Sequence, residues 1–195
     1  MTRLRRLRPD QLDPDQRALY DEIIGGARAR GRLLPLTDAD GGLHGPFNAM
    51  LYAPGVGDAL QRLGAAVRFG TSLTERAREL AILTVAAARD SGFERYAHEA
   101  IGRSVGLDDK VIAAVRAGAE VPVDDPVEQI VVRVARALAY DGDLDDDLYG
   151  QAVDLLGSTT LVELTALVGH YAAIALQLRV FRVEIPEQSR DAVRS

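Results

Sequence analysis

Apolar residues along this 195-residue chain recur at helical spacing from end to end, and no stretch alternates β-branched and polar positions as a half-buried strand would. The pattern predicts an all-α fold, a bundle of about eight helices. Asp13-Pro14 supplies a cap followed by proline at the first helical position, with Leu19, Ile23 and Ile24 on one face and Gly25-Gly26 as the stop. Leu60, Leu63 and Val67 mark a second helix. Ser72 and Glu75 have capping-box spacing at the start of a third, which runs to about Arg89. After the break Asp90-Ser91-Gly92, a fourth helix spans Phe93 to Val105 and closes on Gly106, and Asp108 or Asp109 caps a fifth that ends at Gly118. Asp125-Pro126 opens the sixth, faced by Val127, Ile130, Val131, Val134 and Leu138. Leu148, Ala152, Leu155 and Leu156 form a seventh up to Gly157, and Leu161 to Leu178 stripe a long eighth.

The one extended interruption lies between the first two helices. From about residue 27 to 54, Gly31, Pro35, Gly41, Gly42, Gly45, Pro46 and Pro54 preclude a long regular element. A segment of this length inside a compact domain is expected to pack over something, and the stretch His44 to Leu51 favours that. The remaining connections are too short for a domain boundary, so residues 1–195 read as a single all-α domain. The sixth and eighth helices are apolar nearly all round, more than one subunit is expected to bury, which predicts a homo-oligomer.

Composition narrows the chemistry. There is no Cys, which removes disulfides, thiolate metal sites, dithiol redox couples and cysteine nucleophiles. A net charge of −6 argues against a general binder of nucleic acid or anionic membrane, both of which call for excess Lys and Arg. Even Leu161 to Leu178 is interrupted by Glu163, His170 and Gln177, so no membrane span is expected, and no signal-peptide apolar segment follows Arg3, Arg5, Arg6 and Arg8. The expectation is a cytoplasmic protein whose partner is a small molecule.

General acid–base work then falls to carboxylates, tyrosines and the three histidines, His44, His98 and His170. His98 lies one turn after Glu94, where a carboxylate could orient the imidazole; the same spacing also describes an ordinary exposed pair. The wider string Thr74 to Leu83, carrying Arg76, Arg78, Glu79 and Leu80, then Gly92 to His98, then Gly106-Leu107 before a short helix, resembles the carboxymuconolactone decarboxylase family and its relative alkylhydroperoxidase D. That resemblance implies a core helical hairpin over about 73–118, with Arg-Glu-Leu on its first helix and His98 on its second. It extends to Gly45-Pro46-Phe47-Asn48 and to the helix from Glu163 through His170-Tyr171. Counted from Glu79, the two Cys positions of the peroxidase branch fall on Ser91 and Glu94 and its His position on His98. Thiol peroxidase chemistry is therefore excluded.

What the resemblance leaves is decarboxylase-like chemistry on a small carboxylated or lactone-type compound, with a trimer or hexamer as the assembly. His98 is expected to shuttle the proton and Glu94 to fix its tautomer. Glu79 is a third catalytic candidate; in a hairpin turning at Ser91-Gly92 it sits six residues from the position opposite His98, about 9 Å along the axis. Arg76 is a candidate for a substrate carboxylate, as is Arg78, and Asn48 and His44 for the pocket mouth. Asn48 equally suits an Asx turn, and His170 a buried core or interface role. No metal pattern links the histidines, and Gly25-Gly26 and Gly41-Gly42 lack the strand-then-helix setting of a nucleotide loop, so no metal and no cofactor is expected. A non-catalytic ligand-binding or assembly protein of the same fold is the alternative, separated from the enzyme by whether His98 faces a cavity.

Overall fold

Short polar caps start most of the helices. In the computed structural model, which describes residues 2–26 and 33–186, Asp13, Asp108, Asp125 and Asp145 each accept a hydrogen bond from a backbone N–H two or three residues on, at 2.7 to 2.8 Å. The elements are α1 (Pro14–Gly25), α2 (Pro46–Leu51), α3 (Pro54–Phe69), α4 (Glu75–Ala88), α5 (Gly92–Ser104), α6 (Asp109–Ala117), α7 (Pro126–Tyr140) and α8 (Asp146–Val180). Among the described residues there is no strand, only an isolated antiparallel bridge between Thr37 and Leu43.

Three local expectations are revised. Thr74, not Ser72, caps α4, accepting from Ala77 N–H, while the Ser72 N–H donates to Glu163 Oε2 at 2.8 Å and ties the connection to α8. Within the irregular stretch, Pro46 to Leu51 form the one-and-a-half-turn α2, entered through Gly45 at φ +63°. A side chain at Gly45 would stand 2.6 Å from the Phe93 ring, so glycine is required both by its backbone angle and by that close approach. Residues 27–32 of that stretch lie outside the described residues. The third revision concerns α8. By length and composition it is apolar enough to cross a membrane: within its 35 residues an 18-residue window stays apolar on average despite Glu163, His170 and Gln177. Half of that window is buried against the protein's own helices, as in the core helix of a bundle.

Helix α4 runs through the middle. Its Ala77, Leu80, Ala81, Ile82, Val85 and Ala86 have no exposed surface, and the small alanines let neighbours approach from several sides. One apolar cluster joins it to α7 through Ile130, Val131 and Val134 and to α8 through Leu161, Leu164 and Leu167. A second joins it to α6 through Leu83, Val111 and Ile112. A third packs α1, α2, Leu36 and Leu43 on Ile174 and Leu178, forming a separate layer over the C-terminal half of α8. At about 1.5–3 kcal/mol for each fully buried aliphatic side chain, these clusters supply the main drive for the fold.

The predicted seventh and eighth helices are the two halves of α8, divided at Gly157, whose φ of 76° and ψ of 158° belong to a region that is essentially glycine-only. Nothing lies within 4 Å of where its Cβ would stand, so the restriction there is backbone strain alone. Gly157→Ala is expected to destabilise the protein by about 1–3 kcal/mol, read from the denaturant midpoint at unchanged slope. An unchanged midpoint would mean that α8 straightens through residue 157 at no cost.

Candidate functional site

Where α4 stops determines which residue meets His98. Asp90 takes the left-handed conformation, φ 47°, and the bonds Ser91 N–H to Ala86 O at 2.9 Å and Asp90 N–H to Ala87 O at 3.1 Å complete a Schellman cap. Helix α4 therefore ends at Ala88 and the chain turns through Arg89, Asp90 and Ser91, earlier than a turn at Ser91-Gly92. Across this turn the residue that meets His98 is Glu79, and the six-residue offset read from the sequence does not hold.

The contact is direct: His98 Nδ1 lies 2.7 Å from Glu79 Oε2, with the two side chains 9% and 3% exposed. Burial alone would push the Glu79 carboxyl up, but the facing His98 and Arg68 outweigh it and hold its pKa below the ordinary carboxylate value. An ionised carboxylate only accepts, so Nδ1 is the nitrogen that carries the proton toward it. Arg68, in the last turn of α3, places Nη1 3.1 Å from Glu79 Oε1 and 3.3 Å from the Tyr171 hydroxyl. Burial opposes the charge on Arg68, yet Tyr171 and Glu79 more than offset it and raise its pKa. Burial also raises the Tyr171 hydroxyl, whose ring stands edge-on to His98 at 5.1 Å between centroids.

Arg68, Glu94, His98, His170 and Tyr171 line one cavity of about 390 Å³, completed on its apolar side by Phe47, Met50 and Phe93 among others. Its size suits a small ligand. Glu94 is here, but it makes no bond to His98. Neither of its oxygens has a hydrogen-bond partner among the described residues, and Oε2 is fully buried. Burial, reinforced by the charge of Glu79 and only partly countered by Arg68, pushes its pKa up to about 8. The orienting role assigned to Glu94 from helical spacing thus falls geometrically to Glu79, because the Schellman register sets α4 beside the imidazole.

The other candidates are dispersed. Arg76 points to α7, where Nε and Nη2 bind the Glu128 carboxylate at 2.7 and 3.1 Å and Nη1 donates to Gly106 O; it does not reach the cavity. Arg78 donates to Leu73 O at 2.8 Å, on the connection before α4. Asn48 clamps the N-terminal segment instead of a ligand, accepting from Leu7 N–H at 2.9 Å and donating to Arg5 O at 3.1 Å. His44 lines a smaller neighbouring cleft with Tyr96 and Phe93. His170, read as a core histidine, is buried and reaches the cavity wall. Arg68 and Tyr171 were missed as site residues: an Arg in a last helical turn and a Tyr in an apolar stripe are ordinary features, and only the fold brings them to Glu79. Among the described residues no group of three acidic, His or Cys side chains could hold a metal ion.

Residues 54–137 match the model of the carboxymuconolactone decarboxylase family, a span that contains Arg68, Glu79, Glu94 and His98. No curated protein sequence matches the chain. Among solved structures, the alkylhydroperoxidase AhpD core of an uncharacterised peroxidase-related protein from Ralstonia eutropha JMP134 superposes with a TM-score of 0.73 at 13% identity, covering 96% of this chain and 93% of its own. A protein of unknown function from Agrobacterium tumefaciens, described as a putative antioxidant defence protein AhpD, gives 0.61 at 20% identity over 73% of this chain and 98% of its own. The debrominase Bmp8, in a variant bound to 2,3,4-tribromopyrrole, gives 0.69 at 13% identity over 99% and 95%. At these identities the superpositions establish the fold. Residues 54–137 thus resemble the carboxymuconolactone decarboxylase family in sequence, and the chain as a whole has an alkylhydroperoxidase D-like helical fold.

Proposed function

We propose that this protein is a cofactor-free acid–base enzyme resembling the carboxymuconolactone decarboxylases, which transfers a proton through His98 on a small carboxylated or lactone-type compound. The observation that carries this reading is the 2.7 Å contact of Glu79 with His98 Nδ1 at the wall of a ligand-sized cavity. With Nδ1 committed to Glu79, proton exchange with a substrate carbon passes through Nε2, and the fixed carboxylate stabilises the imidazolium that forms. Arg68 keeps Glu79 ionised and in place. The thiol route of the fold's peroxidase relatives is closed, since the positions matching their cysteines are Ser91 and Glu94.

A cavity alone would equally serve a ligand-binding protein. The buried Arg68–Glu79–His98 chain favours an enzyme, because a binding site gains little from a fixed imidazole tautomer whereas proton transfer depends on one. We further propose self-association through α8, where Val162 and Leu176 remain 69% and 64% exposed.

Offered small unsaturated lactones bearing a carboxyl group, the protein should release carbon dioxide and incorporate solvent deuterium at carbon, and His98→Gln should slow both by at least about 100-fold with the helical circular dichroism unchanged. A His98→Gln protein that keeps its rate would overturn the assignment. The Glu79 pairing also has a stability signature. Its folded pKa is depressed below the reference 4.5, so its contribution is fully present above that value and is lost as pH falls through the folded one. Glu79→Gln should cost roughly 3 kcal/mol near neutral pH, and the two proteins should converge in acid, as measured by denaturant unfolding at several pH values. Light scattering should give a mass that is a multiple of 21.0 kDa, and Leu176→Glu should lower it.

A further inference from the structure

The cavity holds one polar group that the proposed reaction has not used. Glu94 is 4% exposed, lines the cavity one turn before His98, and has no hydrogen-bond partner on either carboxyl oxygen among the described residues. A buried carboxyl left without partners is rare in folded proteins and usually has a functional explanation. The charged and titratable groups facing it are Arg68 from α3, Glu79 from α4, His98 from its own helix, and His170 and Tyr171 from α8. Arg68 is already engaged by Glu79 and Tyr171, so the nearest cation does not neutralise Glu94 as an anion. The carboxyl instead satisfies its surroundings by keeping its proton.

We propose that Glu94 is a second catalytic residue, a neutral carboxylic acid whose O–H donates to the carbonyl oxygen of a bound lactone, ester or ketone while His98 works on the adjacent carbon. This rests on the proton-transfer reading above and adds its electrophilic half. In the step, His98 Nε2 takes the proton from the carbon next to the carbonyl, the C–H electron pair becomes the carbon–carbon double bond of an enolate, and the carbonyl π pair moves onto oxygen. There the Glu94 hydrogen bond holds it. Return of the proton to the same carbon or a conjugated one regenerates the carbonyl and neutral His98. Where a carboxylate leaves as carbon dioxide, the same oxygen receives the electron pair, protonated His98 supplies the proton to carbon, and His98 regains it from water. No oxidant or reductant is needed. A donor held in a dry site stabilises such an oxyanion far better than water does, and a carboxyl still protonated up to about pH 8 can serve in that role at neutral pH.

The test uses the intact protein and α-angelica lactone, a small β,γ-unsaturated lactone labelled with carbon-13 at its carbonyl. Infrared difference spectra of wild type against Glu94→Gln should show a protonated-carboxyl C=O band that disappears as pH rises past about 8. The bound lactone's carbonyl resonance should move downfield in wild type, lose that displacement over the same pH range, and become pH-independent in Glu94→Gln. Glu94→Ala should slow solvent deuterium exchange at the ring carbons by about 100-fold. His98→Gln should abolish exchange while keeping the carbonyl displacement. That last variant separates the two ideas: exchange surviving in it sinks the role of His98 and leaves the Glu94 hydrogen bond standing. Absence of the infrared band, a displacement unaffected by Glu94→Gln, or no binding of the lactone would each overturn the proposal for Glu94.

Discussion

The site depends on a carboxylate that burial by itself would neutralise. Glu79 sits almost sealed in the centre of the bundle, and an ion there is tolerated only where opposite charge and hydrogen bonds replace the water it gave up. Arg68 and His98 provide that replacement from two different helices, so the carboxylate joins α3, α4 and α5 at one point and, through Arg68 and Tyr171, α8 as well. Removing Arg68 would leave the carboxylate facing only the imidazole, and removing His98 would leave it the guanidinium alone. The same pairing fixes the imidazole's tautomer, so the contacts that stabilise the fold at this point also orient His98.

This arrangement separates two acids of the same type by surroundings alone. Glu79 faces two cationic or proton-bearing groups and stays ionised; Glu94 shares the cavity wall, faces Glu79's charge, has no bonding partner and holds its proton. The two carboxyls are thereby set to opposite protonation near neutral pH.

The helix inventory was legible in the sequence because its signals are local: Asp13-Pro14, Asp125-Pro126, Asp108 and Gly118 act within a turn of where they stand. Gly157 marked the break in α8 for the same reason. His98 and Glu79 were also readable, through their spacing in a family-like string. Their contact was not, because it turns on Asp90 adopting a left-handed angle that glycine normally takes, and with Gly92 two residues on the sequence suggested the later pivot. Arg76 was misplaced because its partner Glu128 lies on α7, and Asn48 because its partners belong to the N-terminal segment. Long-range pairing of this kind leaves no mark in either residue's neighbourhood.

The Schellman cap at Asp90 makes the three residues between α4 and α5 a spacer that sets where α5 stands against α4. One residue inserted within α5 between Gly92 and His98 would carry the imidazole about 100° around the helix axis and away from Glu79. Substitution within α5 carries no such penalty, because the cap involves only backbone atoms of Ala86 to Ser91. The backbone contacts that hold α5 beside α4 thus do not depend on which side chains stand at positions 91 and 94.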